Sequence, residues 1–152
     1  MKHLKFIAIL ALGAITFSSC SKNNDAPSNG DGKNVKFTFT VTGVNPAEID
    51  NVSFIAVGGN STNDKTIWKV NGVTKNNEQD ISLGEDDFTG STKTYVVESI
   101  KPLTSAQISL QCINFDAPYK ISYKAEVNGK VENDDENITV DVNKDYTHQY
   151  SY

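Results

Sequence analysis

An all-β, antiparallel β-sandwich is the fold class that this 152-residue sequence predicts, on three observations. From Val35 onward apolar and polar residues alternate with a period of two, the spacing of half-buried strands. Turn-forming groups such as Asn-Pro, Asn-Gly and Asp-Ala-Pro break the alternation at intervals of roughly 8 to 15 residues. No stretch carries the apolar spacing of an amphipathic helix of ordinary length. About seven to nine short strands are expected, and pairing two sheets face to face lets each bury one side.

The elements follow in order. Val35, Phe37, Phe39 and Val41 point one way while Lys36, Thr38, Thr40 and Thr42 point the other. After Asn45-Pro46, the mostly apolar run Val52 to Val57 predicts a more central strand that ends at Gly58-Gly59-Asn60. Thr66 to Asn71 places Trp68 and Val70 on one face, and Asn71-Gly72 supplies residues that tolerate positive φ. Asp80 to Leu83 reads as a short edge strand, and Gly84 to Thr92 as a polar loop. Thr94 to Ile100 is strand-like, closed by Pro102, and Ala106 to Phe115 turns Ile108, Leu110 and Cys112 inward. Tyr119, Ile121, Tyr123, Ala125 and Val127 make the longest clean alternation, ending at the hairpin signal Asn128-Gly129. Lys130 to Asp135 suits a short charged return. Ile138, Val140 and Val142 form a further strand, and Tyr146, His148, Tyr150 and Tyr152 the last. An immunoglobulin-like or transthyretin-like arrangement is expected on architecture alone, because the Cys-Trp-Cys spacing of true immunoglobulin domains is absent.

Composition excludes several functions. There is no Arg, and without Lys2 and Lys5 the 14 basic residues fall to 12 against 19 acidic ones, a net charge of −7. Nucleic-acid binding needs a basic stripe and is excluded. Cys112 is the one cysteine besides Cys20, so no disulfide between strands is expected, and its place in an alternating run marks it as a small buried hydrophobe. His148 sits in register with tyrosines, on a strand face rather than in a catalytic constellation. No phosphate loop, Gly-x-Ser-x-Gly elbow, His-Glu-x-x-His or cofactor motif occurs, so no enzyme and no cofactor is expected.

Two acidic runs carry oxygen ligands of the kind calcium takes: Glu85, Asp86 and Asp87, and Asp134, Asp135 and Glu136. Neither has the spacing of a calcium loop, and clustered carboxylates between strands are ordinarily solvated turns. Trp68, Tyr95 and Tyr123 are candidate ligand-binding aromatics if they share one exposed surface, although in a small sandwich such rings are the natural bulk of the core.

The first 33 residues have a different organisation. Lys2 and Lys5 precede the apolar run Phe6 to Phe17, which is short for a bilayer span, and Ser18-Ser19-Cys20 closes it with small residues. This pattern resembles the lipobox of bacterial lipoproteins, with Phe17 where that family most often has Leu and Ser19 where it often has Gly or Ala. The resemblance implies a signal peptide over 1–19, cleavage before Cys20, and acylation (palmitate among the acyl groups) that anchors the chain in a membrane. Residues 20–33, rich in Asn, Asp, Ser, Gly and Pro, then read as a flexible tether, and 34–152 as the β-sandwich domain. Ser21 after the cysteine implies the outer membrane, and Lys22-Asn23-Asn24-Asp25 resembles the charged signals that send Bacteroidetes-type lipoproteins to the cell surface.

The expected protein is therefore an envelope lipoprotein of the outer membrane, on its periplasmic face or at the cell surface. Its head is expected to be a non-enzymatic binding or interaction module for a protein or glycan partner. The alternatives are a structural accessory subunit of a surface assembly, or a calcium-dependent glycan-binding module.

Overall fold

A computed structural model describes residues 32–45, 47 and 50–152. The signal peptide expected over 1–19, the lipidation expected at Cys20 and the expected tether as far as residue 31 lie outside the described residues. Among the described residues, ten strands and one single-turn helix run in the order β1 (Val35–Thr42), β2 (Asn51–Gly59), β3 (Trp68–Val70), β4 (Val73–Lys75), β5 (Asp80–Leu83), α1 (Glu85–Phe88), β6 (Lys93–Ser99), β7 (Ser105–Ile113), β8 (Tyr119–Val127), β9 (Lys130–Val140) and β10 (Tyr146–Ser151). They form two antiparallel sheets packed as a sandwich, a six-stranded one in the order β4-β3-β6-β1-β8-β9 and a four-stranded one in the order β10-β7-β2-β5.

Alternation decides which side of each strand is buried. Val35, Phe37, Phe39 and Val41 of β1 and Tyr119, Ile121, Tyr123 and Ala125 of β8 all face the core, opposite Phe54 and Ala56 of β2 and Ile108, Leu110 and Cys112 of β7. Phe39 stacks on Phe54 across the sheets with centroids 5.5 Å apart. Such a pair contributes about 0.5–1.5 kcal/mol beyond the area that it buries. Burial pushes the Cys112 thiol up to about 12, as expected of a core residue.

Both Asn-Gly pairs make the turns that their chemistry allows, with positive φ at Asn71 and Gly72 between β3 and β4 and at Asn128 and Gly129 between β8 and β9. The first turn adds a strand beyond the expected number, since Val73–Lys75 folds back on Trp68–Val70. Three other details differ from the sequence reading. The loop after β5 contains the one-turn α1, because Phe88 drops into the core against Phe39 and Tyr95, each at 5.3 Å. β9 ends at Val140, and Val142 is 59% exposed in a turn closed by Asp141 and Lys144. Phe115, read as the end of β7, lies past Ile113 and is 63% exposed.

The chain enters the sandwich clamped. Lys33 and Leu103 exchange both backbone hydrogen bonds, at 2.7 and 2.9 Å, in an isolated antiparallel bridge just ahead of β1. At the opposite end, Asn114 is buried with Asp50. Its Nδ2 donates to Asp50 Oδ1 at 3.1 Å and to the Ala117 carbonyl at 2.6 Å, which fixes the β7–β8 connection.

Candidate functional site

The margin where β9 and β10 face each other concentrates the polar and aromatic chemistry of the described residues. β9 is an edge strand whose register slips at two places against β8. Ile138 lies opposite Ile121, whereas Asp135 lies opposite Tyr123, so Glu136 and Asn137 together oppose Ser122. Asn137 makes this bulge by adopting φ 53, and its N–H donates to Ser122 Oγ at 3.0 Å. The consequence is a change of parity. Inward positions run Val140, Ile138 and then Asp135 and Asn133, while Asp134 and Glu136 are turned to solvent.

Asp135 and Asn133 are thereby aimed at β10. Tyr146 Oη donates to Asp135 Oδ2 at 2.7 Å and Tyr150 Oη to the same oxygen at 3.4 Å, while Tyr152 Oη donates to Asn133 Oδ1 at 2.7 Å. Tyr123 of β8 joins through a 3.0 Å contact between its hydroxyl and that of Tyr152. Burial, then neighbouring hydroxyl groups, raises the Tyr123 and Tyr146 phenols well above the ordinary tyrosine value. At neutral pH they are hydrogen-bonding phenols and not bases.

The rings form a column along the strand. His148 lies between Tyr146 and Tyr150, with centroids at 4.3 and 5.6 Å, and Tyr150 stacks on Tyr152 at 6.2 Å and on Tyr123 at 5.3 Å. Rings packed face to face spend their faces on each other. A sugar needs a free face, so this column is a poor glycan platform and a good rigid backing for β10.

The backing supports an open edge. Tyr152 and Ala106 exchange both backbone bonds, so by antiparallel alternation Tyr150, His148 and Tyr146 also bond to β7. The N–H and C=O groups of Thr147, Gln149 and Ser151 therefore point away from β7, along a margin with no strand beyond it among the described residues. β10 has no charged Lys, Asp or Glu, no proline and no bulge. Of the devices that normally blunt a sheet edge, charged side chains and bulges are missing from it and present on neighbouring β9.

The other candidate residues lie elsewhere. Trp68 and Tyr123 are fully buried, and Tyr95 packs on Phe88 with its hydroxyl donating to the Asp87 carbonyl, so the three share no exposed surface. Trp68 instead anchors the β3 end of the core, its Nε1–H donating to the Gln79 carbonyl at 3.0 Å. Glu85, Asp86 and Asp87 form the turn of α1, where Asp87 Oδ2 accepts from the Gly84 N–H. Asp134 and Glu136 sit on the outer face with Thr38, Thr40 and Ser122 around a shallow depression of about 310 Å³, while Asp135 turns toward the tyrosines. Among the described residues no three His, Cys, Asp or Glu side chains converge on a point that would hold a metal ion. The Asn133–Asp135–tyrosine network was not legible in advance, because a run of acidic and amide residues shows no alternation from which to read its inward members.

No protein-family model matches the chain, and no curated protein does. Solved structures do match. The chain resembles a DUF4425 family protein from Bacteroides ovatus, with a TM-score of 0.52 and 12% identity over 80% of this chain and 94% of that one. It also resembles the calcium-bound form of a protein from Parabacteroides distasonis, with a TM-score of 0.54 and 13% identity over 84% and 98% of the two chains. The shared property is the β-sandwich, and both neighbours come from Bacteroidetes.

Proposed function

We propose that this protein is a lipid-anchored lipoprotein of the outer membrane whose β-sandwich head is a non-enzymatic interaction module, docking an extended segment of a partner protein along the open edge of β10. The observation that carries the docking is that edge: three outward-facing residues, Thr147, Gln149 and Ser151, on an uncharged, unbulged strand stiffened by the aromatic column behind it. Strand addition draws affinity from main-chain hydrogen bonds, which such an edge supplies ready-made. The anchor rests on Lys2, Lys5, the apolar run to Phe17 and the small residues before Cys20. The calcium of the Parabacteroides neighbour does not come to this chain, since a likeness at 13% identity is one of fold.

Fractionation and protease accessibility of full-length protein in cells, beside a Cys20→Ala version, test the anchor. The wild type is expected in the outer-membrane fraction, with the variant unprocessed or released. Recovery of both as soluble periplasmic protein would sink the lipoprotein reading.

A further inference from the structure

We infer that the aromatic column of β10 is a site of one-electron oxidation, in which Tyr146 gives its phenolic proton to Asp135 while its electron passes along the column to an oxidant at the surface. This capacity is separate from docking. It uses Tyr146, His148 and Tyr150, whose side chains project from the face of the strand opposite to that of Thr147, Gln149 and Ser151.

A phenol that loses an electron alone becomes a strongly acidic radical cation. Oxidation is therefore easiest where a base already bonded to the hydroxyl takes the proton in the same step, which requires heavy atoms about 2.6–3.2 Å apart. The six tyrosines differ in this respect. Tyr95 donates to the Asp87 carbonyl, Tyr119 to the carbonyls of Asn51 and Ile113, and Tyr152 to the amide oxygen of Asn133, and an amide oxygen is an acceptor of hydrogen bonds but no base. Tyr123 meets only the hydroxyl of Tyr152. Among the described residues Tyr146 and Tyr150 alone reach a carboxylate, and Tyr146 alone lies within transfer distance, at 2.7 Å from Asp135 Oδ2 against 3.4 Å for Tyr150.

At rest the proton stays on Tyr146, because burial, and then the bonds to Tyr150 and Asp135, hold its phenol well above the ordinary tyrosine value. Loss of the electron reverses that preference. The O–H bond of Tyr146 breaks, an O–H bond forms at Asp135 Oδ2, and the electron reduces the oxidant, which leaves a neutral tyrosyl radical beside a neutral carboxyl group. The bulge at Asn137 makes this pairing, since an unbroken period of two would turn Asp134 and Glu136 inward in place of Asp135.

Tyr146 is only 6% exposed, so a bulky oxidant reaches it through its neighbours. His148 is exposed, and Tyr150 and Tyr152 line an open cleft of about 460 Å³. From Tyr152 through Tyr150 and His148 to Tyr146 the ring centroids are 6.2, 5.6 and 4.3 Å apart, and the Tyr146 and Tyr150 hydroxyls are 3.5 Å apart, so the path is one of rings in contact. Phe37 extends the series inward from Tyr152 to Trp68, at 5.4 and 6.3 Å. Competing reductants are few. Cys112 is fully buried with its thiol pushed up to about 12 and offers no thiolate, and the one methionine is Met1.

Full-length protein in detergent micelles is mixed with photo-oxidised ruthenium tris-bipyridine, a one-electron oxidant too large to enter the core, and the radical is followed by electron paramagnetic resonance and optical absorption. The wild type is expected to give a long-lived tyrosyl radical that forms more slowly in heavy water than in ordinary water. Tyr146→Phe should abolish the long-lived signal, and Tyr95→Phe should leave it unchanged. Asp135→Asn keeps an oxygen to accept from the Tyr146 hydroxyl but takes no proton. It should slow radical formation about 100-fold, the lower end of what a positioned proton acceptor contributes, and remove the solvent isotope effect. Asp135→Glu, which supplies a proton acceptor again, should restore both, and thermal unfolding confirms that each variant folds. A long-lived radical that survives Tyr146→Phe, or one with the spectrum of tryptophan, would overturn the site. Equal rates in wild type and Asp135→Asn with the isotope effect retained would overturn the role of Asp135, and absence of any long-lived radical from the wild type would overturn the whole inference.

Discussion

Single residues show where packing leaves no latitude. Gly58 lies inside β2, and a Cβ built there would come within 2.6 Å of Trp68 Cζ2 and 2.9 Å of Ile67 Cδ1, both on fully buried side chains. Gly58→Ala is expected to destabilise the fold by about 1–3 kcal/mol, the usual cost of overpacking, as a lowered denaturation midpoint with unchanged slope. A wild-type midpoint would show that Trp68 has room to move. The Gly58-Gly59 pair reads from sequence as the end of a strand, yet both residues belong to β2. A glycine within a strand signals close approach of another group as well as a stop, and the approaching group, Trp68, is ten residues away in the chain but adjacent in the core. Trp68 itself illustrates the limit of composition: its inward face was legible from alternation, and its use as core rather than as a ligand platform depended on which strand covered it.

Elements show where alternation carries and where it fails. β1, β7 and β8 keep a strict period of two, and the inward residues read from sequence face the core in each, with Ala106 joining them in β7 and Val127 half-buried at the end of β8. β9 does not, because its bulge exchanges which residues are inward, and Glu132 to Asn137 contains no apolar residue to reveal the exchange. The hinge of that exchange is Asn137 at φ 53, a conformation that asparagine and glycine tolerate and β-branched residues resist. Asn137→Gly is therefore expected to leave stability within about 0.5 kcal/mol of wild type, while Asn137→Val costs about 1–2 kcal/mol. The Val variant should also loosen Tyr146 and Tyr150, read from their side-chain NMR signals, because Asp135 is aimed by the bulge. Equal stability of the two variants would show that the bulge is held by Ser122 and the β8 register alone.

At the scale of the whole molecule, the sandwich was legible because its strands obey one simple periodicity, and its strand order was not, because nothing local says that β3 pairs with β6 or that β10 crosses to the other sheet. The assembled core has a measurable signature in base. Burial raises the phenols of Tyr119, Tyr123 and Tyr146 above the ordinary tyrosine value, and the Cys112 thiol to about 12. The folded protein thus keeps protons that the unfolded chain gives up near pH ~8.5 for cysteine and ~10 for tyrosine, so the stability these groups add is present below that range and lost as pH rises through it. Urea midpoints from neutral to alkaline pH should begin to fall at about pH 8.5 and fall more steeply from about pH 10 upward. Phenolate absorbance from these three tyrosines should appear together with unfolding, and their ionisation in the native state at the ordinary value would contradict the buried arrangement.

The clamp between Lys33 and Leu103 has a mechanical meaning. Chain ahead of Lys33 leads directly into β1, which lies in the interior of the larger sheet with β6 on one side and β8 on the other. Tension entering through that segment would first meet the two Lys33–Leu103 bonds and then a strand hydrogen-bonded along both margins, loaded in shear instead of being peeled from an edge. β10 lies at a margin of the opposite sheet, so force applied between the two would cross the whole aromatic core, and the domain, held at one point and gripped at the other, would behave as a stiff link.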